Sequence, residues 1–544
     1  MTSRILRAGP LTLLFQDGDI RSVRLGGREV LQRVYIAVRD RNWGTVPRRI
    51  EDLTILDRGD AFEIRYSAEH NEHDIHFRCG VSIVGSASGE ILWSMEGIAL
   101  TSFLRNRIGY CVLHSSLECA GQPCSVETMD GRIEHGEFPR FVSPHQPFNG
   151  IRSISHDVEP GVTAEVRFSG DVFEMEDQRN WTDASFKTFS TPLALPFPVL
   201  IEAGAEVRQS VHLKVKGASE RPAEPEGPIT IGLSQECFAV PALGLGGAEV
   251  VLDAQAAAEL ARLRLAHLRV DLKSDNIAGV LETAACNARM LGVDLEVAID
   301  VKVDLAAVAE ACARLRPRIA RWLVSPGSAA AARRHLGPGC LAAGSDANFA
   351  ELNRHRPDPS TCDALWFALN PQVHAFDDRS IVENLPAQAS AVESARRFAN
   401  GKPVIVSPVT MKPRFNAVAT EALDQEPPSD PRQRTWFCAA WTLGSLRYLG
   451  GAGAHSITYY EVTGSRGVLN FPVFDLLAGI AEFAGGEIVL TRSSQPLSVE
   501  ALALRKGGRT RLLLANFTDS PQQVEVAGET FRAEPACVTS VERS

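Results

Sequence analysis

The chain is 544 residues long and 44% hydrophobic, too much for one ordinary core, so two to four domains are expected. Charged residues make up 22%, close to the globular norm, which excludes extensive disorder. A formal net charge of −10 with no long Lys/Arg run excludes a general field for nucleic acid or an anionic membrane surface.

From the first residue, MTSRILRAGPLTLLFQDGD has a short apolar run ending in Asp, without the apolar core and small residues of a signal peptide. No stretch approaches the roughly 20 uninterrupted apolar residues of a membrane span. The eleven cysteines are scattered, odd in number and free of zinc-type CxxC pairs, which fits reduced thiols in a cytoplasmic protein.

Residues 1–216 read as strands. LTLLFQDGDIRSVRLGGREVL alternates apolar and polar residues and is broken by Asp-Gly and Gly-Gly, both turn signals. AFEIRYSAEHNEHDIHFRCGVSIVG, EILWSMEGIAL and TAEVRFSGDVFEMED continue the pattern, so an antiparallel β-sandwich is expected. HNEHDIH (70–76) tempts a metal reading, but it fits a polar hairpin better, and no metal is expected. DGRIEHGEFPRFVSPHQPFNGI suggests an ordered loop. FEMEDQRNWTDASFKT (173–188) crowds charges and amides around Phe173, Trp181 and Phe186. It reads either as a strand and loop with ion pairs, or as a polar insert whose Asp177, Asn180, Asp183 or Lys187 bonds the hydroxyls of a polyol.

KGASERPAEPEGP has linker composition, giving a linker over 217–228. Short apolar strands then alternate with Ala/Leu-rich helices. ITIGL (229–233), HLRVDL (267–272), DLEVAID (294–300), RWLVS (321–325), CLAAG (340–344), ALWFALN (364–370), PVIVSPV (403–409) and SITYYE (456–461) make eight. A (β/α)8 TIM-like barrel over 229–484 is expected, with its fifth helix short before Pro357. From Gly485 the strand pattern returns, giving a small C-terminal β-domain over 485–544.

In such a barrel, functional groups belong at the C-terminal ends of the strands. In strand order the candidates are Gln235 and Glu236; Asp271 and Lys273; Asp300 and Lys302; Ser325; Asp346, Asn348 and Glu351; Asn370 and His374; Lys412 and Arg414; Glu461 and Arg466. Glu461 is the sharpest, because the turn after it would leave its carboxylate at the barrel mouth as an acid, base or nucleophile. Its alternative is an ion pair with a neighbour such as Arg466. Asp271 and Asp300 can equally cap helices, and Asn370-Pro371 is a turn signal as well as a possible binding amide. Lys412 and Arg414 would polarise a carbonyl or hold a carboxylate, or else stand as solvated loop charges. No GxSxG elbow, GxGxxG turn or P-loop is present, so neither a serine hydrolase elbow nor a nucleotide cofactor is expected.

The segments YIAVRDRNWGTVP (35–47), NRIGYCVLHS (106–115), FEMEDQRNWTDASFKTF (173–189), SPVTMKPRFNA (407–417) and SITYYEVTGSRG (456–467) carry a family resemblance. The chain resembles the D-apionate lactonase family of bacterial sugar catabolism. That resemblance implies a β-rich N-terminal domain, a central barrel and a C-terminal β-domain. It also implies ring opening of D-apionolactone by water, giving D-apionate in D-apiose breakdown. The partner so implied is a small-molecule sugar lactone, with no cofactor; the oligomeric state is open.

Lactone hydrolysis needs a base for water, donors for the oxyanion and a proton for the departing ring oxygen. Glu461 is then expected as base or nucleophile, Lys412 or Arg414 at the oxyanion, and Asp271 or Asp346 as acid or hydroxyl ligand. One alternative is a glycoside hydrolase with two carboxylates about 5 to 9 Å apart. Against it, the sole Asn-Glu dipeptide is Asn71-Glu72, and the fourth strand ends in Ser325-Pro326. A non-catalytic carbohydrate-binding protein is the third reading.

Overall fold

In the computed structural model, residues 3–217, 227–273, 276–417 and 428–543 are described. They form two compact units. The first comprises 3–178 and 184–217 with 416–417, the second 179–183, 227–273, 276–415 and 428–543.

The first unit is an antiparallel sandwich. One sheet has eight strands, running from Ser3–Ala8 through Arg28–Asp40 and Phe103–Ser115 to Ser185–Phe189 and Glu174–Asp177. The other has nine, with Glu206–Lys216 and Glu90–Ala99 at its centre. Alternation sends one face of each sheet inward, and Phe15, Ile20, Val112, Ile64, Phe77, Trp93 and Val211 meet in a shared core. The Asp17-Gly18 turn works because both residues take positive φ, 49° and 87°, as a two-residue hairpin of this twist requires. HNEHDIH is a hairpin as expected: Phe62–Glu72 pairs with Ile75–Gly85, His73 turns at φ 55°, and His70 is buried with Nδ1 on the Val46 carbonyl.

The second unit contains the barrel. Its eight parallel strands close on themselves and are labelled here β1 (Ala242–Gly246), β2 (His267–Leu272), β3 (Asp294–Ile299), β4 (Ile319–Val324), β5 (Leu341–Ser345), β6 (Ala364–Leu369), β7 (Val404–Val409) and β8 (Ser456–Glu461). Seven are the expected strands, and the first is not. Ile229–Ala239 instead joins the C-terminal sheet, antiparallel to Glu487–Ser493 and parallel to Gln522–Val526. The true β1, ALGLG, is short and glycine-rich and lacks the β-branched residues that mark a strand. Gly244 tolerates no side chain, because a Cβ there would collide with the His267 ring. The fifth helix is short as expected, Asn348–Arg354. The linker expected over 217–228 lies largely outside the described residues.

The helix Trp436–Gly451 is apolar all round, and its surroundings explain that. Cys438, Ala439, Trp441, Leu443, Leu446 and Leu449 are all buried. One side packs on the helix Leu385–Phe398 and the other on the C-terminal sheet. Tyr448 seals that second contact by donating its hydroxyl to buried Glu500 at 2.6 Å. All eleven cysteines are free thiols. Among the described residues, no helix is long and apolar enough to cross a membrane.

Candidate active site at the C-terminal end of the barrel

Read at period two, HLRVDL puts His267, Arg269 and Asp271 on one face of β2, and that face lines the barrel interior. His267 is fully buried and bonds Thr458 of β8 through Nε2 at 2.8 Å. Burial pushes its pKa down to about 4, so the ring is neutral. Glu296 of β3 accepts from Thr458 at 2.9 Å and from the Ser407 hydroxyl of β7. Burial opposes its ionisation, but with His267 neutral it is the Arg321 and Arg269 guanidiniums and the Ser407 hydroxyl that outweigh burial and hold its carboxyl below the usual range.

Above this layer stands Arg269, 1% exposed. Its guanidinium donates to Asp271 at 2.6 Å, to Asp346 at 2.8 Å and to Ser407 at 3.1 Å, and it lies 5.5 Å from the Trp366 ring centre. Arg414, from the loop after β7, closes the other side, reaching Asp271 at 2.9 Å and Asp346 at 3.3 Å. The result is an alternating square of two guanidiniums and two carboxylates. The carboxylates are 31% exposed and the Arg414 side chain 21%, so the square opens at the barrel end. Burial disfavours the charged Asp271, yet Arg269 and Arg414 overcome it and hold the carboxyl well below its ordinary range.

Asn370, at the end of β6, donates to Asn348 at 3.0 Å, tying the loops after β5 and β6. Gln372 ties the same loop to Asp430 at 2.7 Å, and Arg432 holds Asp430 at 2.8 Å. Lys412 is half-buried in the loop after β7, where its carbonyl accepts from Thr410.

Glu461 owes its direction to a bulge. Tyr459 pairs with Leu245 and Glu461 with Gly246, which leaves Tyr460 outside the ladder at φ 49°. Both tyrosines then point to the same helix, Tyr459 to Ser445 at 3.0 Å and Tyr460 to Thr442 at 2.7 Å. Strict alternation would have turned Tyr460 inward with Thr458 and sent Glu461 out with Tyr459. Arg466 donates to Glu461 at 2.8 Å, so the ion pair offered as the alternative reading exists, with 34% of the Glu461 side chain still exposed.

Other candidates lie elsewhere. Gln235 and Glu236 are exposed on the strand that joined the C-terminal sheet. Asp300 is exposed and shapes a turn by accepting from the Lys302 amide, while Lys273 and Lys302 are exposed. Ser325 bonds Ser328, and Glu351 pairs along its own helix with His355 at 3.2 Å.

The 173–188 segment is split between the two units. Glu174–Asp177 and Ser185–Phe189 form a hairpin in the sandwich, with Glu176 opposite Lys187 and paired to it at 3.3 Å. Asp177 is buried and accepts from the Ser143 amide at 2.9 Å. Glu176 and Lys187 are thus a buried pair, and Asp177 is held by a backbone amide. Arg179–Asp183 belongs to the barrel unit. There Asn180 accepts from Asn353 at 3.1 Å, and Asp183 accepts from Asn384 at 2.8 Å and makes a short hydrogen bond to His374. Both Asp183 oxygens thus serve protein partners.

Period two along β2 would have marked Arg269 from sequence, but which charges it meets is set by β5 and the loop after β7. Among the described residues, no group of acidic, His and Cys side chains is arranged to hold a metal ion.

Three family models match in order: the D-apionate lactonase N-terminal domain over 1–218, its TIM barrel domain over 242–485 and its C-terminal immunoglobulin-like domain over 496–539. A D-apionate lactonase of Brucella anthropi is 30% identical, over 99% of this chain and 97% of that protein. Among solved structures, a GH30 endoxylanase from Clostridium papyrosolvens is 10% identical with a TM-score of 0.41, covering 58% of this chain and 99% of its own. A beta-arabinopyranosidase is 10% identical with a TM-score of 0.29, covering 99% and 98%. Neither likeness bears on chemistry.

Proposed function

The chain belongs to the D-apionate lactonase family, and from that premise we propose that it opens D-apionolactone with water to give D-apionate, a carboxylic ester hydrolysis in D-apiose breakdown. The observation that carries this reading is the similarity to a lactonase along the whole of both chains, not the barrel alone. The free thiols support the cytoplasm as its compartment.

Glu461 is the base that takes a proton from the attacking water, or the nucleophile itself. Its support is a strand-end carboxylate, a third exposed and steadied by Arg466. Arg414 stabilises the oxyanion that forms on the carbonyl, with Lys412 two residues earlier in the same loop. Asp271 and Asp346 accept hydrogen bonds from the hydroxyls of the sugar, and Asn370 contributes its amide. The sequence left Asp271 open as an acid. Its two arginines argue for the anion, and thus for an acceptor. The same fact weighs against the glycosidase alternative, whose acid needs a raised pKa.

The test is hydrolysis of D-apionolactone by the purified chain in ¹⁸O-water, with the product identified by mass. One ¹⁸O should enter the carboxylate. Glu461→Gln should lower kcat by about 10²-fold or more while the protein stays folded. Near-normal turnover by this variant would remove Glu461 from the chemistry.

A further inference from the structure

We propose that Ser407 is a positioning residue for substrate binding: its oxygen holds the inner edge of Arg269 and so aims that guanidinium at Asp271 and Asp346. The role rests on the lactonase reading above, in which those two carboxylates accept hydrogen bonds from the sugar. They can do so only while their remaining lone pairs keep one direction. Each comes from a different stretch of chain, Asp271 from β2 and Asp346 from just after β5. Arg269 is the fully buried group that joins them. What fixes Arg269 therefore fixes the acceptors.

Ser407 lies on β7, fully buried in the barrel interior. A serine hydroxyl has one hydrogen to give and two lone pairs with which to accept. Its hydrogen goes to Glu296 of β3 in a short hydrogen bond. Thr458 also lies within reach at 2.9 Å, but the anion is the stronger acceptor. Thr458 in turn gives its own hydrogen to the same Glu296 oxygen at 2.9 Å. With both hydrogens spent on one carboxylate oxygen, the hydroxyl lone pairs turn to other donors. Thr458 accepts from His267 Nε2 at 2.8 Å, and Ser407 accepts from Arg269 Nη1 at 3.1 Å. Arg321 of β4, 3.5 Å from the second Glu296 oxygen, keeps that anchor charged and in place.

Arg269 is thus tied on every edge. Its Nε and Nη2 meet Asp271 at 3.2 and 2.6 Å, Nη2 meets Asp346 at 2.8 Å, and Nη1 meets Ser407. A guanidinium is planar, so anchoring Nη1 sets the directions in which the other nitrogens point. Without the Ser407 oxygen that plane can turn, and the two carboxylates are left to Arg414, a partner on the more exposed side. Acceptors that shift by a fraction of an ångström no longer match the hydroxyls of the sugar. These hydroxyls take no part in the bond changes, so the loss falls on binding in ground and transition states alike and appears in KM.

The experiment is steady-state hydrolysis of D-apionolactone by wild type, Ser407→Ala, Arg269→Met and the double variant, each checked for folding by circular dichroism. Ser407→Ala should raise KM about tenfold and keep kcat within about threefold of wild type. In the Arg269→Met background the same change should alter KM by less than about twofold, because Ser407 acts through the guanidinium already removed. A merely structural serine would lower the melting temperature and leave KM unchanged, and that outcome overturns the proposal. So does a rise in KM by the same factor in both backgrounds. If Ser407→Ala does not fold, Ser407→Cys, whose sulfur is only a weak acceptor, is held to the same split between KM and kcat. If the double variant does not fold, the split in the single variant decides. Wild type that leaves the lactone unopened would overturn the lactonase reading and this one with it; normal wild-type turnover confines any failure to Ser407.

Discussion

Replacing Arg269 by Met removes the one guanidinium that is fully buried between the two carboxylates of the square, and the cost can be worked from its contacts. Arg269 is 1% exposed and bonds Asp271, Asp346 and Ser407. Breaking a buried pair by deleting one partner costs about 3–5 kcal/mol, because the remaining charge stays desolvated. Here the two carboxylates are 31% exposed and keep Arg414, so about 3 kcal/mol is expected. For a domain of about 250 residues that corresponds to roughly 6–12 °C in the barrel transition. In wild type the Asp271 pKa is depressed, so its contribution is present above about pH 4 and is lost only as pH falls further. In the variant Asp271 loses the larger of its two guanidinium partners and faces a second carboxylate, so its affinity for protons rises and acid relieves the strain. The stability gap should therefore narrow as pH falls from 7 toward 4. Urea unfolding of the full chain at several pH values, followed by tryptophan emission, measures both quantities. Arg269→Lys should fall between, since a single ammonium cannot span three acceptors. A variant within about 1 kcal/mol of wild type at pH 7, or a gap that ignores pH, would refute the view that Arg269 holds the square together.

Two further outcomes concern the scaffold. Gly344→Ala in β5 would set a Cβ against the Trp366 backbone carbonyl of β6, which cannot swing away. A loss of about 3 kcal/mol or a failure to fold is expected in thermal melts, and wild-type stability would contradict that close approach. Glu500 is 2% exposed; burial raises its pKa, and the Arg447 guanidinium and the Tyr448 hydroxyl offset that only in part. Its favourable contribution is thus complete below the ordinary glutamate range and falls as pH rises. Glu500→Gln should flatten this dependence and match or exceed wild type by about 1 kcal/mol at pH 8. Unfolding at pH 5 and pH 8 tests it, and a variant that loses more at pH 8 than at pH 5 would be the contrary result.

The periodicities determined much of the architecture. Alternation with Asp-Gly and Gly-Gly turns is a local property, and it sufficed for the sandwich strands. Short apolar runs between Ala/Leu helices sufficed for seven of the eight barrel strands. The missed one shows the limit of local pattern. ITIGL reads as a strand and is one, but which sheet a strand joins depends on partners some 260 residues away, at Glu487–Ser493. ALGLG is a strand only because its neighbours demand small residues, as the ring of His267 does at Gly244.

The candidate site divides along the same line. Asp271, Asp346, Asn370, His374, Arg414 and Glu461 were legible because a barrel gathers its strand ends, so position in sequence implies position in space. Their states were not legible. That Asp271 is an anion follows from Arg269 and Arg414, side chains on two other stretches of chain. That Glu461 is turned to the barrel end follows from a bulge at Tyr460, which sequence alternation cannot register. That Asp183 serves His374, 191 residues away, is a fact of packing alone. Periodicity is written into neighbouring residues, and so sequence determines it; charge state and orientation depend on what long-range contacts bring within a few ångströms, and only the tertiary structure decides them.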